Sequence, residues 1–172
     1  MGYVILDVTL RLRHSWDSVP IRYAELARRL GVEQGERAPI DRVRETMLSL
    51  RRGKGMVLDD ADPDTWSVGS FFVNPVTDAA AVPAGCPQWA VDGRIELSAA
   101  WLIQHAGFGR GFGLDQPPGT VSLSTEHCLA LTNRGGARTT ELLRLARTVR
   151  DGVESRFGIG LLPEPRLAGM EF

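Results

Sequence analysis

The sequence predicts an α+β domain, on three observations. Apolar residues recur at helical spacing in four segments and form short strand-like runs in several others, and the two kinds do not alternate in the regular βαβ order of a parallel sheet. Glycine and proline, 19 and 10 of 172 residues, mark most boundaries between them. A hydrophobic content of 43% with 24% charged residues suits a packed core and argues against long disorder, collagen-like repeats or coiled coil.

Each element has a local reason. Residues 1–13, with Tyr3, Ile5, Val8, Leu10 and Leu12, read as a strand. A strand needs partners, so this one is expected to be the last of a sheet whose other members are missing or come from another chain. Pro20 opens a helix whose stripe of Ala24, Leu26, Ala27 and Leu30 ends at Gly31, and Pro39 starts a second, with Ile40, Val43, Met47 and Leu50 before Gly53. The acidic run 59–65 reads as a solvated loop, because it lacks the ligand spacing and glycine of a calcium loop. Residues 69–76 are a strand-like run with Ser70 at its mouth, and 77–93, rich in Ala, Pro and Gly, read as a loop or short irregular helix.

Ser98 caps a third helix, anchored by Trp101 and Leu102 and closed at Gly107. Five glycines and two prolines in 107–119 predict a mobile loop. Gly107, Gly109 and Gly111 have neither a strand before them nor a helix after them, so they are no dinucleotide fingerprint. His127–Asn133 alternates as a strand. Thr139 or Thr140 caps the longest helix, whose face runs Leu142, Leu145, Ala146, Val149, Val153 and Phe157 to Gly158, and 158–162 read as a short closing strand.

Charge and composition exclude several function classes. A net charge of -1, from 20 basic and 21 acidic residues, gives no footprint for nucleic acid or for an anionic membrane surface. No stretch approaches the ~20 apolar residues of a membrane span and no leader pattern is visible, so a cytoplasmic location is expected. Cys86 and Cys128 read as buried or idle thiols, and no metal site is expected. Lys54 is the only lysine beside 19 arginines. Between Gly53 and Gly55 it marks either a place that favours a compact, flexible ammonium or chance.

Two residues carry candidate chemistry. Glu164, between Pro163 and Pro165, projects from a stiff segment near Leu161, Leu162 and Leu167. It reads as an acid in a partly apolar setting or as a surface carboxylate. Ser70 follows Gly69 and precedes Phe71 and Phe72. It lacks a nucleophile elbow, and His14, His105 and His127 show no spacing that marks a base. It reads as a hydroxyl that donates or relays a proton, or as a turn serine.

The run 69–75, Gly-Ser-Phe-Phe-Val-Asn-Pro, resembles a signature of the UDP-N-acetylenolpyruvoylglucosamine reductase (MurB) family. The Ala-Ala-Trp-Leu-Ile of 99–103 is similar to a second family motif, and the Leu-Pro-Glu-Pro-Arg-Leu-Ala-Gly of 162–169 to its closing one. Arg22–Leu26 and Arg51–Lys54 also match family positions. The resemblance implies the family's C-terminal half: 1–18 as the last strand of an otherwise missing FAD-binding domain, and 20–172 as the substrate-binding domain. It implies reduction of the enolpyruvyl group of UDP-N-acetylenolpyruvoylglucosamine with NADPH as co-substrate and FAD held mostly by the missing half, with a separate N-terminal FAD-binding half as one candidate partner. Ser70 matches the proton donor and Glu164 the assisting carboxyl. Tyr23, Arg51, Lys54, Asn74 and His127 match substrate-binding positions. Glu96, where the family has lysine, and Trp89, where it often has tyrosine, are departures near the expected nucleotide end. The alternatives are a non-enzymatic sugar-nucleotide-binding module and an inactive fragment.

Overall fold

The structure, a computed structural model, describes residues 5–172. Its contacts divide the chain into two units, Met1–Leu50 and Arg51–Phe172. In the first, α1 (Ala24–Leu30) starts later than Pro20 predicts and ends as expected at Gly31, which takes the left-handed conformation with φ 69°. The helix α2 (Ile40–Arg52) fits its predicted bounds, Pro39 to Gly53. Ile21, Leu26, Ala27, Leu30, Ala38 and Leu50 form a small core. Backbone bonds from Ser18 to Ala38 (2.9 Å), Ile21 to Glu36 (2.8 Å) and Ile40 to Trp16 (2.9 Å) hold the chain from residue 16 onward.

The predicted N-terminal strand is not formed in the described residues. Tyr3 and Val4 lie outside them, and 5–13 carry no strand, with Ile5, Leu6, Val8, Leu10 and Leu12 all exposed. The physical reason is the one that made the expectation conditional: a strand exists only in a ladder, and none of the described residues pairs with this segment.

The second unit is α+β. One sheet has the order β1-β3-β2, from β1 (Val76–Thr77), β2 (Gln88–Val91) and β3 (Arg94–Leu97), all antiparallel. The hairpin lies partly inside the stretch read as loop. Its turn is Asp92-Gly93, both with positive φ, 48° and 77°, the geometry of a two-residue hairpin turn. A second pair joins β4 (Val121–Leu123) to β5 (Leu131–Asn133). The observed β5 is the end of the predicted strand 127–133; residues 128–129 instead make a turn.

Two helices pack on each other, and the second lies on β4 and β5. Ser98 accepts the Trp101 N–H at 3.2 Å and caps α3 (Ala99–His105), as predicted. At the start of α4 (Thr139–Phe157) the cap lies one residue before the predicted threonines, where Glu141 accepts the Arg138 N–H at 2.8 Å. Leu102, Ile103, Ala146, Val149 and Val153 are wholly buried in one core with Phe71, Phe72 and Leu97. The glycine-rich 107–119 is a series of bonded turns, with Gly111 N–H on the Ser124 carbonyl at 3.2 Å.

Candidate functional site

The segments carrying Ser70 and Glu164 meet in a short ladder. Ser70 faces Ala130 and Phe72 faces Pro163, both antiparallel, in place of the longer strands predicted over 69–76 and 158–162. Phe71 N–H donates to the Leu129 carbonyl at 2.8 Å, Val73 N–H to Leu162 at 3.1 Å, and Glu164 N–H to Phe71 at 2.8 Å. Three segments far apart in sequence therefore lie side by side. The register sets Glu164 against Phe71, one step along from Ser70. Phe71 and Phe72, 2% and 1% exposed, anchor the centre with rings 5.0 Å apart at 76°. Ser70 is half-buried, and Glu164 is exposed, so the apolar shielding expected around its carboxyl is absent.

The turn before β5 carries His127, half-buried, whose pKa is lowered by burial and by the positive charges of Lys54 and Arg110. Lys54 thus lies within electrostatic reach of His127, although 73 residues separate them in the sequence. Its turn follows α2, where Lys54 and Met56 N–H groups donate to the Arg51 carbonyl at 3.1 and 2.9 Å. The Arg51 side chain is exposed. Neighbouring Cys128 is a buried thiol whose pKa is raised by burial, against the Arg110 charge.

Asn74 has a structural role in addition to the one its motif implies. Its Oδ1 accepts the Ala99 N–H at 3.0 Å and its Nδ2 donates to Glu96 at 2.7 Å, so it ties the ladder to the start of α3. Glu96, opposite Trp89 in the β2–β3 pair, is held by that contact. Tyr23 belongs to the first unit, where its hydroxyl donates to Glu25 at 2.6 Å.

Sequence reasoning missed Asp64. The sequence places it in a solvated loop; Asp59, Asp60 and Ala61 are exposed as expected, but Asp64 is 7% exposed and bonded to Thr125 and Arg134. Its partners lie 61 and 70 residues away, so no local signal could find it. Arg110 was also missed, since a lone arginine in a glycine-rich stretch has no pattern. Two of the nearby glycines serve chain packing: a Cβ on Gly111 would lie 3.1 Å from Leu114, and one on Gly113 3.0 Å from the Val121 carbonyl. An apolar groove of about 620 Å³ opens beside Phe71 and Trp66, but Ser70, Lys54 and His127 do not line it.

Fold and site together define an α+β domain with a hydroxyl and a carboxyl on adjoining ladder segments, beside turns rich in cations. The family profile described as UDP-N-acetylenolpyruvoylglucosamine reductase, C-terminal domain, matches residues 62–168, and the chain belongs to that family. Proteins named UDP-N-acetylenolpyruvoylglucosamine reductase are similar to it along nearly its whole length. That of Cutibacterium acnes is 58% identical over 170 residues, which cover 97% of this chain and 44% of that protein. Those of Saccharopolyspora erythraea and Mycolicibacterium gilvum are 54% and 53% identical, covering 95% and 97% of this chain and 48% and 49% of theirs. The chain spans about half the length of the curated relatives it matches.

Proposed function

We propose that this chain is the substrate-binding part of a cytoplasmic UDP-N-acetylenolpyruvoylglucosamine reductase of peptidoglycan synthesis, and that residues 1–18 are the last strand of its FAD-binding domain. The observation that carries the reading is the ladder uniting the Ser70 and Glu164 segments in a chain of this family.

The net reaction adds a hydride to one carbon of the enolpyruvyl double bond and a proton to the other. The resemblance assigns the hydride to NADPH through FAD, which would supply the electrons when bound. The chain's own part is the proton and the anion. Hydride addition beside a carboxylate builds negative charge next to it, which needs a placed donor and nearby positive charge. Ser70, half-buried at the ladder's end, supplies the proton, and the Glu164 carboxyl assists at the same carbon. Lys54 and His127, with Arg51, Asn74 and Tyr23, bind the anionic nucleotide sugar.

The test combines the purified chain with the N-terminal half of a relative and follows substrate-dependent NADPH oxidation. The expected outcome is a colourless, inactive chain, turnover on addition of the other half, and a loss of about 10²–10⁴-fold in substrate reduction for Ser70→Ala with flavin reduction near normal. A substrate step unaffected by Ser70→Ala removes the serine from the mechanism, and a chain that stays inactive with a flavin-loaded, folded half overturns the reading.

A further inference from the structure

The turns that carry Lys54 and His127 both meet one buried residue, Asp64. Asp64 Oδ1 accepts the Thr125 N–H at 2.7 Å and the Arg134 guanidinium at 2.8 Å, while Oδ2 accepts the Thr125 hydroxyl at 2.5 Å. The neighbouring Ser124 side chain also helps to lower the pKa of this carboxylate. Ser124 Oγ in turn accepts the N–H groups of Glu126 and His127, at 3.0 and 3.2 Å. The carboxylate thus holds Thr125, in the turn that Ser124 closes onto the His127 backbone.

The other side of Asp64 holds the lysine turn. Gly55 is buried with φ 64°, and a Cβ on it would lie 2.9 Å from the Asp64 carbonyl oxygen. Only glycine fits so close to a backbone, so the turn that presents Lys54 rests directly on residue 64. The arrangement opposes a repulsion, because Lys54, Arg110 and a protonated His127 carry the same sign.

We infer that Asp64 is a positioning residue: it fixes the Lys54 turn and the His127 turn at the spacing that an anionic ligand bridges. The inference rests on the reading of Lys54 and His127 as ligand contacts.

Asp64→Asn keeps the shape and an acceptor for the Thr125 amide while removing the charge. Two readouts on the full chain test it: the titration midpoint of His127 by NMR, with His14 and His105 as references, and calorimetry with UDP as the probe. Removing a nearby negative charge can only lower the His127 midpoint further. Releasing the turns lets Lys54 and Arg110 recede and moves it up, towards the ordinary value near 6.5. The expected result is the upward shift together with about tenfold weaker UDP binding. Ser122→Ala, which cuts the far end of the network where Arg134 Nε donates to Ser122 at 2.8 Å, should change neither.

A midpoint that is unchanged or lower overturns the positioning role. If the wild-type chain itself does not bind UDP, the ligand reading fails, while the midpoint still decides the role of Asp64. Should Asp64→Asn not fold, Thr125→Val removes only the exposed hydroxyl partner; a smaller upward shift supports the role and no shift overturns it.

Discussion

Two stretches of this molecule invite the name of strand, and only the less promising one forms a ladder. In residues 5–13, Val8, Leu10 and Leu12 alternate with Thr9, Arg11 and Arg13, yet the three apolar side chains are 66–81% exposed. Val121–Leu123 is only three residues long with a serine at its centre, but it pairs with Leu131–Asn133, and Ser122, Leu123 and Thr132 are 0% exposed. The buried polar row is satisfied within itself, Ser122 and Thr132 hydroxyls lying 3.2 Å apart and Arg134 donating to Ser122. Alternation says which side of a ladder a residue takes; a partner decides whether there is a ladder.

The largest effect breaks the folded member of that pair. Arg134 and Asp64 form an ion pair at 2.8 Å with side chains 13% and 9% exposed. Arg134→Ala leaves the buried carboxylate without its cation, with only the Thr125 donors for its charge, and should cost about 3–5 kcal/mol in urea unfolding. By contrast, the exposed Arg44–Glu45 pair at 2.6 Å should give less than about 1 kcal/mol on the same substitution. A loss for Arg134→Ala as small as that of Arg44→Ala would show that β4 and β5 do not depend on the buried pair.

The same contrast explains what could be read in advance. The helices were legible because their causes are local: α2 runs Ile40–Arg52, between the proline and glycine that predict it. The β2–β3 hairpin had a local signal too, Asp92-Gly93 between Val91 and Arg94, but it was hidden by the surrounding Ala, Pro and Gly. Ser70 and Glu164 were singled out through motifs and stiff flanks. Their adjacency was not legible, since it depends on Phe71 bonding to Leu129 and Glu164, pairings between distant segments. Asp64 was invisible for the same reason, because a buried aspartate and a solvated one look alike until Thr125 and Arg134 arrive.

An intermediate effect sharpens the comparison through pH. Burial alone would raise the Asp64 pKa, but the Thr125 bonds, the nearby Ser124 side chain and the Arg134 charge bring it below the ordinary value. A carboxylate with a lowered folded-state pKa binds fewer protons folded than unfolded, so its contribution is complete above the unfolded value near 4 and is lost as pH falls through the folded one. Urea midpoints measured from pH 7 down to about pH 2.5 should therefore show wild type converging on Asp64→Asn only below about pH 4. A gap that stays constant over that range would mean that the carboxylate's charge contributes nothing to the fold.

The smallest effect lies in the unpaired stretch. Leu10 is 72% exposed, so Leu10→Ser should change the unfolding free energy of this chain by no more than about 0.5 kcal/mol. Its amides, with no ladder partner, should exchange with solvent at nearly the free-peptide rate. If residues 1–18 complete the sheet of a flavin-binding half, adding that half from a relative should slow exchange over 5–13, and Leu10→Ser should then weaken the association that it left untouched as a stability effect. Protection that never develops, with association equal for Leu10→Ser and wild type, would separate this segment from the sheet and leave its alternation without a ladder in either setting.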